Sequence, residues 1–181
     1  MARIAIIDRA DMNAEQARVY DAAKNAGGPV GGPFLAYIRL PKLFEGIHAM
    51  RGSMAGGPLS RREQQIVNLT VARHWGARYP WFAQVRASLG VGISQGVIDA
   101  INARKEPDLP DARERMCHVV ARELLADKRL SNETYAAAEK AMGVESLVAL
   151  AAMTGSFSMT CLTANTFAIE PPAENPTPLA E

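Results

Sequence analysis

Thiols, imidazoles and carboxylates carry most side-chain chemistry, and this chain is sparing with the first two. Two cysteines, Cys117 and Cys161, and three histidines, His48, His74 and His118, occur among 181 residues. Thiol reduction of peroxides needs an accessible thiolate and a second thiol near enough to resolve the sulfenic acid. Neither cysteine has a partner at the spacing of a redox pair. Cys117 falls on a helix with a strong apolar stripe and Cys161 in the most apolar stretch, so both read as packed, reduced thiols. His118 adjoins Cys117, but neighbours on a helix point about 100° apart, so adjacency does not activate the thiol. No three His, Cys, Asp or Glu residues fall at metal-ligand spacing, and neither a metal nor a cofactor is expected. The glycine-rich run GGPVGGPF, from Gly27 to Phe34, lacks the glycine spacing and the Lys-Ser/Thr of a phosphate loop. It reads as a flexible loop able to shape or cover a pocket.

The elements that position these groups read as helices throughout, with no period-two strand pattern. Asn13 caps a helix from about Ala14 to Asn25, stopped by Gly27-Gly28. Phe34 to Arg39 reads as a helical turn, and Pro41 opens a helix to about Met54. Ser60 and Glu63 form a capping box that starts a helix to about Ala77. Its apolar residues cover more than one face, which predicts a central, buried helix. Pro80 is placed at the first position of the next helix, which ends at Gly90. Ser94 caps a helix from Gln95 to about Ala103, and a long helix runs from about Ala112 to Asp127. Another opens at Ser131 or Asn132 and ends near Gly143. The last, Glu145 to Phe167, is the most apolar, with small residues for close packing.

Composition is ordinary for a globular protein, with 48% hydrophobic and 22% charged residues and a net charge of +1. No basic stripe or acidic tail points to nucleic acid or a membrane surface. No apolar run is long and clean enough to span a bilayer, and the N-terminus lacks a secretory apolar region, so a cytoplasmic protein is expected. The expected organisation is one helical domain over 1–172 and a proline-rich tail over 173–181.

Four ordered stretches resemble one family. They are Gly32-Pro33-Phe34 with Leu40-Pro41, Leu59 through Ala77, Tyr79 through Gln84 with Gly90, and Gly155 through Pro171. Together they are similar to carboxymuconolactone decarboxylase-like proteins, relatives of alkylhydroperoxidase D. The resemblance implies an all-α bundle of about seven to eight helices, with an antiparallel central pair walling a pocket. It also implies a homotrimer or homohexamer with sites near subunit boundaries, and a final helix this apolar fits a subunit interface.

This chain departs from that family where the chemistry sits. Aligned on Leu69-Thr70-Val71-Ala72, the family's helix glutamate falls on Gln65, its second glutamate on Pro80 and its histidine on Gln84. The redox cysteine positions fall on Ala77 and Pro80. A glutamine cannot transfer protons at neutral pH, but it can orient a ligand or donate a hydrogen bond to an oxyanion. Gln65, Gln84, His48 and Tyr79 are therefore the candidate catalytic residues. Phe34, Arg73, Pro80 and Trp81 are the candidates for binding substrate. His74 lies nine residues beyond Gln65, roughly on the opposite face, and reads as a helix C-terminal histidine. The expected function is a divergent, non-redox, metal-free, lyase-type enzyme acting on a small oxygenated or aromatic-derived compound. The alternative is a catalytically silent ligand-binding or scaffold homologue. Peroxidase activity is not expected without the paired cysteines.

Overall fold

A computed structural model describes residues 2–181. Eight α-helices follow a short 3-10 turn at Arg9–Asp11. They are α1 (Ala14–Asn25), α2 (Phe34–Tyr37), α3 (Pro41–Ala55), α4 (Arg61–His74), α5 (Arg78–Gly90), α6 (Gln95–Asn102), α7 (Ala112–Asp127) and α8 (Asn132–Thr166). No strand occurs among the described residues, and the fold is all-α, as expected.

The helix starts follow local hydrogen bonding. Asn13 with Gln16, and Ser60 with Glu63, form reciprocal capping boxes. Asp111 accepts from the Arg113 and Glu114 amides at the start of α7. Three boundaries differ from the sequence reading. First, α4 stops at His74, because Gly76 takes φ 58° and lets the Ala77 amide reach back to Ala72 O at 3.1 Å. Second, α5 consequently begins at Arg78, which puts Pro80 at its third position, where a missing N–H still costs nothing. Third, the two final helices run together as α8, bent at Gly143 with φ 78° and ψ 163°.

The helices bury two apolar clusters. The larger is built on α4 to α8, with Ile66, Leu69, Trp81, Ile98, Val120 and Leu150 essentially inaccessible. α4 is its centre, packed against α5, α6, α7 and α8. The smaller joins α1, α2 and α3 through Val19, Phe34, Ile38, Phe44 and Ile47. The Tyr37 hydroxyl ties the two together, at 2.8 Å from Thr163 Oγ1 on α8. The α1–α3 unit thus sits on the bundle as a cap. The proline-rich tail is extended and returns over its own chain. Trp81 Nε1 donates to Thr177 O at 3.0 Å, and Asn102 exchanges hydrogen bonds with Pro178 O and the Ala180 amide.

α8 is long and apolar enough to cross a membrane by length and composition. Its Leu150, Met153, Phe157 and Cys161 are instead buried in the bundle core.

Candidate functional site

The seam between the cap and the bundle holds two adjoining hollows. The inner one, about 110 Å³, lies among α3, α4, α5 and α8. Gln65 and Asn68, three residues apart, present one face of α4 to it. Gln84 enters from α5, and its Oε1 accepts from Asn68 Nδ2 at 3.3 Å. The outer hollow, about 290 Å³, is walled by Phe34, Tyr79, Pro80 and Ala83. Gln84, Arg51, Phe157 and Thr160 line both.

Two features of the inner hollow are left unsatisfied within the chain. Gln65 Oε1 and Asn68 Oδ1 are buried acceptors without a partner among the described residues. A buried polar atom left unpaired costs on the order of 1–3 kcal/mol. The second is Arg51, which forms no hydrogen bond or ion pair with any described residue. Its guanidinium lies 5.7 Å from the Phe34 ring centroid. Burial pulls its pKa below the usual arginine range, yet it stays cationic at neutral pH. A half-buried guanidinium without a carboxylate partner is chemically able to receive an anion. An organic anion that also carries hydroxyl groups would satisfy Arg51 and both orphaned acceptors together.

Loop geometry shapes the mouth. Gly32 adopts φ 58° beneath the Tyr79 ring, where a Cβ would stand 2.0 Å from Tyr79 Cε1. Only glycine gives both that backbone conformation and that approach.

The structure sorts the residues expected from the sequence. Gln65 and Gln84 meet in the inner hollow, and Phe34, Tyr79 and Pro80 meet Gln84 in the outer one. The other three stand elsewhere. His48 lies behind Phe34, facing a groove between α1 and α3 of about 620 Å³. Its ring is 4.6 Å from that of Phe44, and its Nε2 is buried without a partner. Burial first, then Arg51, hold its pKa below the usual imidazole value. Trp81 is fully buried in the bundle core because its indole anchors the tail rather than walling the cavity. Arg73 lies eight residues past Gln65, at the opposite end of α4, and donates to Asn102 O at 2.6 Å. The sequence reading missed Arg51, Asn68, Phe157 and Thr160. The one available signal was Asn68, placed on the same helical face as Gln65.

The thiols cannot serve as redox groups. Both are free and buried. Burial pushes Cys117 up to about 12 and Cys161 higher still, which suppresses the thiolate. Among the described residues, no three His, Cys, Asp or Glu side chains cluster as metal ligands would.

No family model matches the chain, and no curated protein does. Solved structures do. One is described as an alkylhydroperoxidase AhpD core, an uncharacterized peroxidase-related protein from Ralstonia eutropha. It is 21% identical with a TM-score of 0.77, covering 96% of this chain and 93% of that one. A second, an uncharacterized peroxidase-related protein from a Silicibacter species, is 20% identical with a TM-score of 0.78 and the same coverage. The chain therefore has the alkylhydroperoxidase D-like fold over nearly its whole length.

Proposed function

We propose that the chain is a divergent, non-redox member of the carboxymuconolactone decarboxylase-like group, a lyase-type enzyme that binds a small oxygenated organic anion between cap and bundle. The observation that carries this reading is the unpaired Arg51 facing the same hollow as the Gln65, Asn68 and Gln84 amides. Arg51 takes the carboxylate of a hydroxy or oxo acid. The orphaned amide oxygens accept hydrogen bonds from its hydroxyl groups, and amide N–H groups hydrogen-bond a carbonyl oxygen. When a second carboxylate, on the carbon next to that carbonyl, leaves as CO2, the electron pair of the broken C–C bond forms an enolate that the same cation and amides stabilise and that water then protonates. Phe34, Tyr79 and Phe157 give the rest of the ligand an apolar wall, which suits an aromatic-derived skeleton.

The two hollows contain no side-chain carboxylate, imidazole or thiol. That absence favours a second reading, a homologue that binds such an acid without turning it over. One experiment separates the two. A panel of small hydroxy and oxo carboxylates is screened by ligand-observed NMR, and each binder is then incubated with the protein and followed for product. Binding with turnover supports the enzyme. Binding without turnover supports the silent homologue. No binder in the panel overturns both.

Self-association, in a reducing cytoplasmic setting, belongs to the same proposal. Val144, Val148, Ala151, Gly155 and Leu162 expose a stripe on α8. Spacings of seven between 144 and 151, and between 148, 155 and 162, keep one face toward a partner helix. A second copy in a trimer or hexamer is the occupant we assign to it.

A further inference from the structure

The far end of α4 carries a second opening that shares no residue with the two hollows. It is a bowl of about 260 Å³ between α4, α6 and α7. Its floor is buried: Thr70, Arg73, Ile101 and His118 are all less than a tenth exposed. Arg104, Lys105 and Arg122 stand at its rim, and no acidic residue lines it.

The charge of this bowl is compensated only in part. Arg73, 8% exposed, donates to Asn102 O at 2.6 Å and, at 3.4 Å, to a main-chain oxygen of Glu181, the last residue, whose terminal carboxylate offsets part of its charge. Arg122 alone meets an acidic side chain, Glu106, at 3.6 Å, and both partners are more than half exposed. Arg104 and Lys105 have no acidic side chain within ion-pairing distance among the described residues. Buried or converging charges are costly unless an opposite charge joins them. A guanidinium on the floor and cations round the rim match a ligand with several anionic oxygens.

Two details support a built site. Thr70 donates its one hydroxyl proton to Ile66 O at 2.8 Å, so at 2.9 Å it accepts from His118 Nδ1. That bond fixes the imidazole in the floor. At the rim, Arg104 closes α6 at φ 56°, with the Lys105 amide returning to Ala100 O at 2.8 Å. Glycine usually fills this left-handed position. Arginine is there in its place, and its side chain lines the bowl.

We infer that this bowl is a binding site for a small polyanion, a phosphate ester or polycarboxylate held by Arg73, Arg104, Lys105 and Arg122, separate from the proposed catalytic cavity. The reading does not depend on the function proposed above.

The test titrates the full-length protein with pyrophosphate and with citrate by calorimetry at low and physiological salt. Arg104→Gly is the first variant, since it removes a rim cation while relieving the backbone. Arg122→Gln is the second and leaves the helix termini untouched. The expected result is saturable binding near one per chain, with Kd on the order of 0.1 mM at low salt. Each variant should weaken it about tenfold, and Arg104→Gly should fold at least as well as the parent. Stronger binding of pyrophosphate assigns the site to phosphates, and stronger binding of citrate assigns it to polycarboxylates. Absence of saturable binding by either probe, or undiminished binding in both variants, overturns the inference.

Discussion

Arginines at the two ends of α4 are treated differently. At its N-terminal end, Arg62 forks onto Glu114 at 2.6 and 3.0 Å, and Arg113 meets Glu63 at 2.7 Å. Those pairs tie α4 to α7, and Glu63 also accepts from the Ser60 amide. At the other end, Arg73 is deeper than Arg62 or Arg113 and meets no side-chain carboxylate, only Asn102 O and a terminal oxygen of Glu181. Arg51, facing the middle of α4 from the cap, has none either. A paired arginine holds helices together, because its charge and directional donors are satisfied inside the chain. A desolvated, unpaired arginine leaves that satisfaction to a ligand. The difference divides α4 into a structural end, an amide-lined cavity in its middle and a cationic bowl at its far end.

The sharpest break of this contrast is at Arg51. Arg51→Met keeps the stem and removes the charge, and it should lower affinity for a hydroxycarboxylate about 100-fold, roughly 3 kcal/mol. Ligand titration measures this, with the melting temperature reporting that the fold is intact. Unchanged affinity would return Arg51 to the structural class.

The next effect is on pH. Burial, the main cause, holds His118 below the usual imidazole value, with Arg122 adding to it and Glu106 opposing. Between the folded value and the ordinary one, near 6.5, the unfolded chain binds a proton that the folded chain refuses. Stability is therefore full at neutral pH and falls on acidification below about 6.5, by at most about 1.4 kcal/mol per pH unit for this group. Chemical denaturation from pH 7.5 to 5.0 should show that loss, and His118→Gln should remove its share, leaving those of His48 and His74, which burial also holds low.

A smaller, opposite effect is expected at Gln65. Gln65→Met replaces an orphaned buried acceptor with a thioether of similar length. It should raise stability by about 1 kcal/mol while weakening ligand binding. Destabilisation instead would mean that Gln65 already has a partner, such as bound water. Val148→Glu, on the exposed stripe of α8, should leave the monomer's stability within about 0.5 kcal/mol and lower the mass seen in sedimentation. An unchanged mass would exclude that stripe as the interface.

Much of this arrangement was legible in the residues. Asn13, Ser60 and Ser94 announce helix starts through local bonds that need no tertiary context. Gly76 and Gly143 were less legible, since one ends a helix early and the other bends two helices into one, and both outcomes depend on packing. Gln65 and Gln84 were found through resemblance, and Asn68 was missed although helical spacing puts it on the face of Gln65. Arg51 was not visible, because its importance lies in the carboxylate it lacks. The cationic bowl was hidden for another reason. Its charges come from α4, the α6 terminus and α7, so a chain of net charge +1 shows no basic run.

A crossed titration tests the division of α4 most directly. A hydroxycarboxylate binder and pyrophosphate are each titrated into the parent, Arg51→Met and Arg104→Gly. The account predicts that Arg51→Met weakens only the hydroxycarboxylate and Arg104→Gly only pyrophosphate. If either variant weakens both ligands equally, or neither weakens its own, α4 does not carry two separate ligand sites.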